Sequence, residues 1–136
     1  MKRHIIAILI LLIGISTTVS AKLLSSAALL TAESFVAAID NGDFLKAYSS
    51  ASPDLQLLKP EKQWIDEQSL TFQLLGKPLH RRLMTVDARD IYPGLPDGNY
   101  LLVSYQTTTE HKAKAIEVLL LKEKGEEWMV CKYSIR

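Results

Sequence analysis

The apolar positions of this chain change their spacing twice. A basic start, Met1-Lys2-Arg3-His4, leads into a nearly unbroken apolar run from Ile5 to Ile15, and Ser16 to Ala21 is small and mostly polar. A helical period follows: Ala28, Ala32, Phe35, Val36 and Ile39 fall on one face. Asn41-Gly42 is placed to end that helix. Asp43 then suits the N-cap of a second one, whose face is Phe44, Ala47, Tyr48 and Ala51. Ser52-Pro53-Asp54 reads as its break. Pro60 suits the first turn of a third helix, with Trp64, Ile65, Phe72 and Leu75 as its buried side and Gly76 as its stop.

After Pro78 the period shortens. Leu83 to Ala88 alternates weakly. Tyr100 to Thr109 is rich in the Val, Tyr and Thr that favour strands. Ala113 to Lys122 places Ile116, Val118 and Leu120 on one face and Glu117, Leu119 and Leu121 on the other, and Trp128 to Ile135 alternates again. Gly125-Glu126-Glu127 is a short hairpin connection, and Pro93 to Asn99 a longer turn-rich one. Helices followed by strands predict an α+β fold: three N-terminal helices packed on a four-stranded antiparallel meander. Leu119 and Leu121 suggest that the last strands are apolar on both faces, and their side would suit a homodimer.

The N-terminal order of basic, apolar and small residues is that of a secretory signal peptide. Val19 and Ala21 fit the small-x-small pattern, so the expectation is cleavage after Ala21 and a periplasmic or secreted domain, Lys22–Arg136. The apolar run is shorter than the about 20 residues a spanning helix needs, which weighs against a retained anchor. No Cys follows the run for lipid attachment. With 16 Lys+Arg against 15 Asp+Glu, of which Lys2 and Arg3 would be removed, the balance is near neutral and favours neither nucleic acid nor an anionic membrane. The single cysteine, Cys131, has no partner within the chain, so the domain must be held by core packing. It reads as a small buried strand residue, with an intermolecular disulfide as the alternative.

Leu95-Pro96-Asp97-Gly98-Asn99-Tyr100, Glu117 in a strand, Trp128-Met129-Val130 and Tyr133, with Trp64, Leu75-Gly76 and Arg82 before them, resemble the exported bacterial domain-of-unknown-function family 4019 over roughly Phe35 to Ile135. The resemblance implies an NTF2-like (cystatin-like) cone, with three helices on a curved sheet and a pocket between them. It carries no catalytic residues. In that family a small residue, frequently Gly, precedes the last Tyr. Here Lys132 stands there, which puts a bulge in the last strand in doubt.

The chain has no Gly-rich phosphate loop, HExxH, CxxC, paired-His spacing or GxSxG, so no cofactor and no metal are expected. Glu117 is the sharpest candidate, a carboxylate within Ala115-Ile116-Glu117-Val118-Leu119. It reads as a general base in a pocket, as a structural partner of Arg82 or Arg89, or as a solvent-exposed carboxylate. Tyr105, Glu117, Tyr133 and Arg82 are the candidate ligand-binding residues. His80 and His111 read as surface residues, and Trp64 and Trp128 as core. The expected function is a non-enzymatic periplasmic module that binds a small apolar ligand or an envelope protein. The alternatives are a cofactor-free isomerase or lyase with Glu117 as its base, and a membrane-anchored subunit of an envelope complex.

Overall fold

The computed structural model describes residues 16–136, with side chains from Ser26 onward. The chain order is α1 (Ser16–Asp40), α2 (Phe44–Ser50), α3 (Pro53–Leu58), α4 (Glu61–Leu75), β1 (Pro78–Arg89), β2 (Tyr100–Thr109), β3 (Ala115–Lys124) and β4 (Glu127–Ile135). The strands form one antiparallel sheet in the order β1-β2-β3-β4, with the N-terminal helices packed on one face. The export signal expected over Met1 to Ala21 lies mostly outside the described residues, and the cleavage point expected after Ala21 falls within α1. No described helix is long and apolar enough to cross a membrane.

The predicted apolar face of α1 is the one that is buried: Ala28, Ala32, Phe35, Val36 and Ile39 all lie in the core. Gly42 has φ 70° after α1, and Asp43 caps α2 by accepting the Lys46 N–H at 3.2 Å. Where three helices were expected there are four among the described residues. Pro53 does interrupt the chain after α2, yet it also opens the six-residue α3, because proline at a first helical position loses no intrahelical bond. The Ser52 N–H donates to the Val130 carbonyl at 2.8 Å, which fastens this corner to β4. The Tyr48 hydroxyl donates to the Lys59 carbonyl at 2.8 Å and holds the far end of α3.

Gly76 closes α4 with φ 78° and ψ 178°, a backbone region that is essentially glycine-only. A Cβ there would stand 2.6 Å from Glu110 Cβ and 2.9 Å from His111 Cδ2. The turn Glu110-His111-Lys112 is exposed but anchors this end of α4: the His111 N–H donates to the Leu75 carbonyl at 2.9 Å and the Lys77 N–H to Glu110 at 2.6 Å.

Leu101, Val103 and Tyr105 of β2, Leu119 and Leu121 of β3, and Trp128 and Val130 of β4 face the helices. Complete burial of a leucine such as Leu119 stabilises by about 1.5–3 kcal/mol. The dimer face expected from Leu119 and Leu121 is therefore corrected: both side chains are inside the fold, and the outer face carries Ile116, Val118 and Leu120. One end of that outer face is covered by the β1–β2 connection, where Tyr92 and Leu95 pack on Tyr100, Leu120 and Cys131. The β3–β4 loop is tight, with φ 64° at Gly125 and no positive φ at Glu126, the pattern of a II′ hairpin.

Two irregularities reverse expectations. β1 runs from Pro78, longer than its weak alternation indicated, because register shifts at Leu79 and Met84 break the period of two. β4 is bulged although Lys132 replaces the expected small residue. Leu120 pairs with Lys132 and Leu121 with Val130, so Cys131 is the extra residue.

Candidate functional site

The Glu117 side chain lies on the helix-facing side of β3, fully buried. Its partner is Arg81, not Arg82 or Arg89. Arg81 pairs with Thr107 in the β1–β2 register and so faces inward, while Arg82 pairs with Gln106 and faces out. Arg81 Nε donates to Glu117 Oε1 at 2.5 Å and Nη2 to Oε2 at 3.2 Å. The same guanidinium forms a fork with Asp40, the last residue of α1, at 2.9 and 2.8 Å. Thr107 Oγ1 donates to Glu117 Oε1 at 3.4 Å, and the Tyr133 hydroxyl to Oε2 at 2.9 Å. Arg81 Cζ also lies 5.8 Å from the centre of the Tyr105 ring.

The electrostatics follow from burial and pairing. Burial works against the Arg81 charge, but hydrogen bonds and attraction from Asp40 and Glu117 outweigh it and raise the pKa. The Tyr133 phenol is pushed well above its usual value, first by burial and then by the Glu117 charge. Tyr105 is raised too, by burial and then by Glu33, and its hydroxyl has no hydrogen-bond partner among the described residues.

Of the four candidate residues, the structure brings Tyr105, Glu117 and Tyr133 together around Arg81. Arg82 is on the opposite face, exposed, donating to Gln106 at 3.1 Å. A carboxylate that accepts four donors and has no exposed surface is enclosed, and it presents no free oxygen to a substrate proton. The role of general base considered for Glu117 therefore has no geometric support, and the cluster acts as a clasp between α1, β1, β3 and β4. Arg81 was missed by sequence reasoning because the flanking bulges hide its parity.

A second feature opens to solvent. A groove of about 280 Å³ passes around the β4 edge from α3 and α4 to the outer sheet face. Leu55, Leu58 and Trp64 form one end, and Tyr92, Leu102, Val118, Leu120 and Cys131 the other. Lys59, Lys132, Tyr133 and Ser134 complete the lining. The cysteine thiol is buried, donates to the Leu120 carbonyl at 3.3 Å and is pushed up to about 11 by burial. No spacing in the sequence announces this groove, because it joins residues from both faces of β4 with a helix that begins at the Ser52-Pro53-Asp54 break. His80 and His111 are exposed and line neither feature. Among the described residues no group of three or more His, Cys, Asp or Glu side chains could hold a metal ion.

Fold and groove define a small α+β domain with helices on one face of a four-stranded antiparallel sheet. The chain belongs to the family described as "Protein of unknown function (DUF4019)", whose model matches residues 31–133. Comparison with curated proteins and with solved structures gives no match.

Proposed function

We propose that this domain is an exported, non-catalytic binding module, working in the periplasm or outside the cell, whose ligand is a small apolar molecule seated in the β4-edge groove. The observation that carries the reading is the groove itself: it is open, its walls are largely apolar, and its volume is close to the lower limit of the roughly 300–1,000 Å³ usual for small-molecule sites. The enclosure of Glu117 supports the choice of binding over proton-transfer chemistry. Trp64 lines the groove and reports on it directly. In a Trp128→Phe background, titration with decanol is expected to change Trp64 emission saturably, and Val118→Asp to abolish the change. A linear, unsaturable response that Val118→Asp leaves unaltered overturns the proposal. Export is tested by the intact mass of the protein recovered outside the cytoplasm, expected to begin at Lys22. A mass that includes Met1 would support the anchored alternative instead.

A protein partner on the outer sheet face is the second reading, favoured by the incomplete burial of Leu102, Ile116 and Val118. Light scattering of the purified protein tests the case in which that partner is a second copy.

A further inference from the structure

The groove is apolar, but its charge is one-sided. Among the described residues its only charged lining residues are Lys59 and Lys132, and no carboxylate lines it. The two lysines differ. Lys59 is already engaged, with Nζ 2.6 Å from Glu67. Asp54, on α3, is engaged too, at 3.3 Å from Lys122. Lys132 has no ion-pair partner among the described residues, and its ammonium lies 4.8 Å from the centre of the Tyr92 ring. A cation held over an aromatic face keeps its charge and its capacity to donate, because such contacts contribute only about 0.5–1 kcal/mol at exposed sites. The pairing of Leu120 with Lys132 places this side chain on the outer face beside Val118 and Leu120.

We infer that the ligand is a free anionic amphiphile, a medium-chain carboxylate, with its head on Lys132 and its tail running toward Leu55, Leu58 and Trp64. This rests on the groove being the binding site proposed above. The volume of about 280 Å³ accommodates a single chain. The one-sided charge selects an anion, and the apolar walls select a tail. A small polar anion has nothing to bury there, and a cationic amphiphile meets Lys132 as a repulsion.

The test compares decanoate, decanol and decyltrimethylammonium by calorimetric titration of the purified protein, with Lys132→Met and, as a distant control, Lys114→Met. Decanoate is expected to bind about five-fold more tightly than decanol, the size of a partly screened ion pair. The cationic probe should bind more weakly than either. Lys132→Met keeps most of the apolar stem, so it should bring decanoate down to the affinity of decanol without weakening decanol, while Lys114→Met should change neither. The advantage of decanoate should also shrink as salt is added.

Equal binding of decanoate and decanol to the unaltered protein overturns the anionic assignment and leaves the apolar groove standing. So does an advantage that survives Lys132→Met or is lost equally in Lys114→Met. Binding to anionic vesicles without binding of monomeric decanoate replaces the free amphiphile by a membrane surface. Failure of all three probes removes the groove reading itself, so the two failures are distinguishable.

Discussion

The sheet has two edges, and they are held in different ways. β1 is exposed along most of its length, carries two register shifts, and presents His80, Arg82, Asp87 and Arg89 to solvent. Bulges and charges of this kind keep an edge from pairing with other chains. Its grip on the helical layer is concentrated in one inward cation, Arg81, which reaches α1 through Asp40 and β3 through Glu117. β4 is held along its length by Trp128, Val130 and Tyr133 in the core and by the Ser52 bond to Val130. The lesson is that one edge meets the helical layer at an electrostatic point, with Val86 as its apolar contact to the core, whereas the other spreads its attachment over apolar surface and one main-chain bond.

Removing Arg81 should break that contrast most severely. Arg81→Met strands a fully buried carboxylate, and the expected loss is about 3–5 kcal/mol in denaturant unfolding. Adding Glu117→Leu should recover part of this loss, since it removes the stranded charge. A double variant less stable than Arg81→Met alone would show that Glu117 serves more than the arginine. Hydrogen exchange on Arg81→Met should show β1 amides losing protection before those of β4.

At the entrance to β1, Gly76→Ala should cost about 1–3 kcal/mol for the backbone conformation alone, with the overlap at Glu110 and His111 in addition. An alanine variant as stable as the parent would mean that the turn moves aside freely.

Tyr133→Phe removes one donor from the buried carboxylate at the β4 side, with an expected loss of about 1–3 kcal/mol. It should also alter the alkaline limb of stability. Tyr133 and Cys131 both hold their protons more tightly in the folded chain than in the unfolded one. The stability they contribute is full below the ordinary thiol value of 9.0 and drains as pH rises, for the cysteine through about 11. Melting temperatures should therefore fall above pH 9 in the parent, and less steeply in Tyr133→Phe and Cys131→Ala.

Smaller still, the native Cys131 thiol should react with an aromatic disulfide at neutral pH only at the rate of local opening. Prompt stoichiometric labelling would contradict its burial. Lys132→Met should alter stability by less than about 0.5 kcal/mol, because the ammonium has no buried partner to strand.

Where side-chain period and backbone chemistry agree, the sequence is readable. The α1 face, the Asp43 cap, the Gly76 stop and the bounds of β2 follow from single residues and regular spacing. Legibility ends where one residue is inserted. The bulges at Leu79 and Met84 decide that Arg81 faces inward and Arg82 does not, and such insertions leave no mark in a strand of mixed polarity. Proline at position 53 permits two outcomes, a break or a helix start, and packing against β4 selects between them. Glu117 was identifiable as a polar group in an apolar strand, but its company came from β1, β2, β4 and α1, and no local pattern encodes that. The groove is less legible still, since it exists only once β4 has α3 on one side and the Tyr92 loop on the other.

The clasp also has a consequence for the order in which the chain can fold. Asp40 and Arg81 are 41 residues apart, and Glu117 and Arg81 are 36 apart, whereas the strands pair with their neighbours in sequence. Hairpins close quickly, and contacts across such spans come later. The helices are made first and can pack on one another, but their apolar faces are covered only once the sheet exists, and Tyr133, in the last strand, is the last of the Glu117 donors in chain order. Until β4 has been synthesised, the helical layer can close only on β2 and β3 and lacks the cover of Trp128, Val130 and Tyr133, so the core stays incomplete until the last strand pairs.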